Sequence, residues 1–90
     1  MSRIVDKKEV IIKSFTRKAQ YKIYLAKHSD GLFHAGVVYY DVSGSFENNT
    51  RQLSFHLESF VDLTEDKVLT EAKSWVLSNI DSAAVFEEVS

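Results

Sequence analysis

Cysteine and proline are both missing from this chain of 90 residues, and glycine occurs only three times, at Gly31, Gly36 and Gly44. Without cysteine there is no disulfide framework, no thiolate metal site and no cysteine nucleophile, and a reducing, cytoplasmic setting is expected. The glycines are isolated and none opens a helix, which excludes a glycine-rich phosphate loop. No serine sits on a nucleophile elbow. Glu87 and Glu88 adjoin near the end of the chain, but a carboxylate pair without a cleft is normally solvated. Apolar runs all fall short of the ~18 residues of a membrane span, and the first residues lack a signal-peptide core. The expectation is a protein with no enzymatic activity, no cofactor and no membrane partner.

Length bounds the rest. Ninety residues make one domain, 1–90, large enough for a single small core but not for a deep cleft between lobes. A hydrophobic content of 44% beside 27% charged residues is that of a globular chain, not a disordered one. The net charge of −2 conceals an asymmetry. Residues 1–28 carry Arg3, Lys7, Lys8, Lys13, Arg17, Lys18, Lys22 and Lys27 against Asp6 and Glu9 alone, a balance of +6; the remainder carries −8. Either the basic stretch faces an anionic partner, or it lies beside acidic elements and the field cancels in the fold.

The clearest local signal is a β-hairpin between Gln20 and Val42, turned by Ser29-Asp30-Gly31 with glycine where the loop needs a left-handed residue. That turn sets Tyr21 opposite Tyr39. Tyr21, Ile23 and Leu25 then share a face with Phe33, Ala35, Val37 and Tyr39, all apolar or aromatic. The other face carries Lys22, Tyr24, Ala26 and His28 beside His34, Gly36, Val38 and Tyr40. Tyr24 also has a structural reading, as a ring covering the cross-strand Gly36.

Residues 9–16 read as a strand from their β-branched content, although Ile4, Ile11, Phe15 and Ala19 recur at roughly helical spacing over 3–19. Residues 43–50 read as a loop, with Phe46 either folded onto the core or exposed. In the next strand Leu53, Phe55, Leu57 and Val61 alternate toward the core, while Gln52, Ser54, His56, Glu58 and Phe60 point away. A helix over 64–79 follows, capped by Asp62 or Thr64, with Glu65 and Asp66 in its first turn and Val68, Leu69, Ala72, Trp75, Val76 and Ile80 as its apolar stripe. Trp75 is expected at the centre of the core, near Phe55 and Val37. The tail 81–90 reads equally as a short helix or an added edge strand.

These pieces compose an α+β two-layer sandwich: an antiparallel meander sheet of about four strands with one C-terminal helix packed on one face. The uncovered face would present Lys22, Tyr24, His34, Val38, Tyr40, His56 and Phe60, a patch of the kind that marks protein interfaces. The leading expectation is an interaction module that forms a homodimer through this face or an edge strand. His34 and His56 are expected to be close, with His28 diagonal to His34, yet no pair has the short-range spacing of a metal motif.

Two further readings remain. Lys13, Arg17, Lys18 and Lys22 suggest phosphate contacts, and a helical N-terminus would give an order that resembles the double-stranded-RNA-binding domain. That family opens its last helix with lysines, whereas this chain has Thr64-Glu65-Asp66-Lys67, and nucleic acid therefore ranks below protein as a partner. In general form the chain also resembles small acidic proteins of phages and mobile elements. The resemblance implies an inhibitor, as among anti-CRISPR proteins, that engages a host protein complex through the acidic face of Glu65, Asp66 and Glu71.

Overall fold

The computed structural model describes residues 3–14, 20–41, 45–46, 49–50 and 53–89, with the backbone alone described at 20, 40–41, 45–46, 49–50 and 53–54. Its strands are β1 (Ile4–Lys13), β2 (Gln20–His28), β3 (Phe33–Asp41), β4 (Ser45–Phe46), β5 (Asn49–Thr50), β6 (Leu53–Asp62) and β7 (Val85–Val89), and its helix is α1 (Glu65–Asn79). Five strands form one antiparallel sheet in the order β6-β3-β2-β1-β7, and α1 packs on one face. The α+β sandwich is as expected, with five strands rather than about four. The extra strand is the tail, which pairs with β1 from Lys13 opposite Val85 to Glu9 opposite Val89.

The β2–β3 hairpin has the expected register, with Tyr21 opposite Tyr39, Ile23 opposite Val37 and Leu25 opposite Ala35. Its loop closes through His28 N donating to Leu32 O at 2.9 Å and Gly31 N donating to His28 O at 3.0 Å. Asp30 Oδ1 accepts from Leu32 N at 2.9 Å, an Asx contact that stiffens the bend. Gly31 has φ of +88°, a conformation that costs any residue with a Cβ. The loop also anchors the start of β1, because Ser29 N donates to Arg3 O at 2.8 Å and Arg3 N donates to Ser29 Oγ at 3.0 Å.

β1 is a strand, not the competing helix over 3–19, and it begins earlier than residue 9. Its ladder with β2 continues through Asp6, Lys7 and Lys8, because backbone pairing does not require apolar side chains. Val10 and Ile12 point into the core, where Ile23, Val37, Val68 and Val76 are also fully or almost fully buried. The loop expected over 43–50 contains the small hairpin β4–β5, and the Phe46 side chain lies outside the described residues.

β6 departs most from expectation. Val37 pairs with Glu58 but Val38 pairs with His56, so β6 carries one extra residue there. A bulge of this kind exchanges the faces of all residues beyond it. Phe55 faces inward opposite Tyr39, but beyond the bulge Phe60 faces inward opposite Ala35, and Val61 turns outward opposite His34. Phe60 therefore leaves the proposed outer patch and packs against the core, while Val61 is half exposed.

α1 is capped by Thr64, whose side chain accepts from Lys67 N at 3.2 Å, with Glu65 and Asp66 in the first turn. Val68, Leu69, Ala72 and Val76 are its buried stripe. Trp75 is a correction. It packs at the rim of the core beside Phe60, not at its centre, and Phe55 is half exposed toward Tyr39. The helix sits over β3 and β6, and Ile80, Ala84 and Phe86 also pack against the core, Phe86 from β7 beside Ile12 of β1.

A buried carboxylate holds the turn between α1 and β7. Asp81 is 7% exposed, accepts from Ser14 Oγ at 2.7 Å and from Ala83 N at 2.9 Å, and its own N donates to Val76 O at 3.1 Å. The Asp81–Ala83 Asx turn ends the helix, and the Ser14 contact ties that end to β1, which aims β7 along the free edge of β1.

Two stability predictions follow from these joints. Gly31→Ala meets no steric neighbour, so only backbone strain acts, and urea melts should register a loss of about 1–2 kcal/mol. Asp81→Ala removes the acceptor that Asp81 offers to Ser14 Oγ and Ala83 N and should cost about 1–3 kcal/mol. A loss under about 0.5 kcal/mol, the scale of ordinary surface changes, would deny Asp81 this role.

Candidate interaction surfaces

Strand pairing arranges the face opposite α1 in rows. One row crosses β7 to β6 as Val89, Glu9, Tyr24, Gly36 and Ser59; the next is Glu87, Ile11, Lys22, Val38 and His56. Toward the hairpin turn, Lys7, Ala26, His34 and Val61 form a third row, with Ile4 opposite His28 beyond it.

The expected patch residues meet different fates. Tyr24 is 43% exposed near its centre. His34 is half-buried, its ring 3.9 Å from that of His28 at 35°, so the diagonal contact across the hairpin is present. Lys22 is mostly covered and pairs with Glu9 at 3.4 Å. Val38 shares the face but is buried within the chain, between Lys22 and His56 in the register. The Tyr40 side chain lies outside the described residues. His56 is exposed, but it pairs with Val38 whereas His34 pairs with Val61, so the two imidazoles are rows apart rather than neighbours. The register sets this separation, because His56 is five positions along β6 from Val61, the residue opposite His34. Among the described residues no three histidine or carboxylate groups gather as metal ligands would.

His56, not Tyr24, covers the cross-strand glycine. A Cβ built on Gly36 would stand 3.0 Å from His56 Cε1, which is closer than ordinary contact. A glycine in a strand often marks such a close approach. Two residues missed in the sequence join the face at its turn end. Ile4, 53% exposed, enters because β1 starts early and is irregular between Ile4 and Asp6, and Val61, 51% exposed, enters through the β6 bulge. Simple alternation hides both.

The acidic face divides. Glu65 leans toward the sheet and pairs with Lys8 at 2.9 Å, and that contact raises the Lys8 ammonium above its usual range. Asp66 and Glu71 border a separate recess along α1 with Lys67 and Thr70. Glu71 is within hydrogen-bonding reach of Asp62, whose carboxyl raises that of Glu71 above the ordinary value. Asp62 itself is lowered, first by Leu63 N donating to it at 2.7 Å and then by Glu71. Two carboxylates this close favour sharing one proton.

Three of the described basic residues of the opening stretch, Lys8, Lys13 and Lys22, are paired with carboxylates. Lys13 meets Glu87 at 2.7 Å and holds that carboxyl below its usual value, and Lys22 meets Glu9. Arg17 and Lys18 lie outside the described residues.

Comparison with protein-family models, with curated proteins and with solved structures gave no match to this chain.

The Asp62–Glu71 pair generates a pH prediction. A raised carboxyl such as Glu71 contributes stability below its unfolded value, near 4.5, and that contribution is lost as pH rises through the folded value. Asp62, lowered, has the opposite sign. Glu71→Gln removes the like charge while keeping a hydrogen-bonding amide. Thermal melts at pH 7 should rise by about 1–2 °C, the scale of an exposed pair, and the gain should fade below pH 4. A larger gain at low pH than at neutral pH would contradict the assignment.

Proposed function

We propose that this chain is a non-enzymatic protein-interaction module that pairs with a second copy of itself through the sheet face opposite α1. One observation carries the reading: Ile4, Tyr24 and Val61, each about half exposed, share an uncovered face with Ala26 and the tilted His28–His34 ring pair. Contiguous apolar and aromatic surface of this kind marks interaction sites. A sheet of five strands about 4.8 Å apart and roughly 30 Å long offers about 700 Å², close to the ~800 Å² that each partner buries in a standard interface.

Charge also favours a second copy. The face carries both signs, in Lys13 with Glu87 and Lys22 with Glu9, so a two-fold related copy can oppose unlike charges. Pairing through the edges is weaker. The β6 edge is interrupted by its bulge, a device that blunts edges, and two β7 strands would bring Glu87 and Glu88 of both copies together. The absence of cysteine supports a cytoplasmic setting.

The alternatives have less support. Phosphate binding would draw on Lys13 and Lys22, each already paired with a carboxylate. The mobile-element inhibitor reading loses Glu65 to Lys8, which leaves Asp66 and Glu71 as its basis.

Sedimentation of the purified protein at micromolar concentration should reveal a dimer. Tyr24→Glu or Val61→Glu should weaken it at least tenfold, about 1.4 kcal/mol, whereas Leu77→Glu on the helix should leave it unchanged. A monomer at every concentration, or dimers indifferent to Tyr24 and Val61, would overturn the proposal.

A further inference from the structure

The bulge that removes Phe60 from the outer face builds something on the inner one. Phe60 and Trp75 together floor an open groove of about 460 Å³ between β6 and α1, edged by Thr70, Glu71, Ser74 and Ser78. Toward the start of the helix it is followed by a smaller recess of about 270 Å³ that Asp66 and Glu71 border. Along β6 the bulge also puts Glu58 and Asp62 on the same side of the strand as Phe60, one on either side of it. Of these carboxylates Glu71 edges the groove itself and Asp66 borders the recess beside it with Lys67, whose charge both Asp62 and Glu71 feel.

We infer that this groove docks a segment of another protein that presents an arginine beside an apolar residue. The apolar floor would bury the hydrophobic side chain, and the indole and phenyl rings offer faces to a guanidinium. The carboxylates supply the opposite charge. Asp62 and Glu71, within hydrogen-bonding reach of each other, concentrate like charge that a guanidinium bonded to either carboxylate would offset. Arginine fits better than lysine, because its planar fork can stack on a ring and bond a carboxylate with two donors at once. A second copy of this chain is a poor occupant, since Lys8, Lys13 and Lys22 are paired within the sheet. The groove is on the helix side of the sheet, away from the face proposed for dimerisation, so the two inferences stand or fall separately.

Trp75 is the only tryptophan of the chain, so its emission reports on the groove directly. The probe is a fluorescein-labelled decapeptide of alternating arginine and leucine, with a glutamate-for-arginine version as its counterpart and N-acetylarginine amide as the side chain alone. The arginine peptide should alter Trp75 emission and bind by anisotropy. Combined Asp62→Asn and Glu71→Gln should weaken it about tenfold or more, and Trp75→Leu roughly fivefold, while circular dichroism shows each variant folded. Glu88→Gln, at the far edge of the sheet, and Tyr24→Glu, on the opposite face, should bind with unchanged affinity. Equal binding of the glutamate peptide, indifference to Asp62 and Glu71, or loss on Tyr24→Glu would overturn the inference. Binding of N-acetylarginine amide as tight as the peptide would also overturn it, by assigning the groove to a small cation.

Discussion

Face assignment throughout this molecule depends on the register of the β2–β3 hairpin, and that register is held by one bend. Gly31 turns the chain at positive φ, and Asp30 and the His28–Leu32 contact hold the bend in place. Slipping the pairing by one residue would turn one strand over, setting Tyr24 in place of Ile23, or Gly36 in place of Val37, on the buried side. The same loop binds Arg3, so the hairpin also sets where β1 begins, and β1 in turn carries β7. Four of the five strands of the sheet therefore take their alignment, directly or at one remove, from a three-residue loop.

The fifth, β6, has its own rule. Its first half obeys the alternation that the hairpin imposes, and its second half reverses it after a single inserted residue. The energetic logic is legible in the outcome. Phe60 gains contact with the core and Trp75, while Val61 is exposed in exchange. Burying the larger ring more than offsets exposing a valine, since the hydrophobic gain scales with the apolar area removed from water. One irregularity thus shapes both surfaces proposed for partners: it adds Val61 to the outer face and Phe60 to the helix-side groove.

Charge is distributed by the same topology. The basic opening strands are placed beside the acidic parts of the later chain, Lys8 against Glu65 and Lys13 against Glu87, so much of the sequence asymmetry cancels locally. The uncancelled negative charge is concentrated along β6 and α1, where Asp62 and Glu71 compete for a proton. Exposed pairs of this sort contribute little to stability individually. Their consequence is a groove side where Asp66 and Glu71 outnumber Lys67, and an opposite face of ion pairs.

Local chemistry was enough to read the hairpin, a helix cap at Asp62 or Thr64, the buried stripe of α1 and the two-layer class, because each depends on residues within a few positions of one another. Tyr24 and His34 on the uncovered face follow from the same short-range periodicity. What the chain alone did not disclose are the bulge in β6, the early start of β1, the choice of strand for the tail and the peripheral place of Trp75. Those depend on which partner strand offers a ladder and which ring best fills the space beneath the helix. Period-two and period-3.6 patterns describe an element by itself, whereas a single inserted residue is selected by packing between elements that meet only in the folded chain.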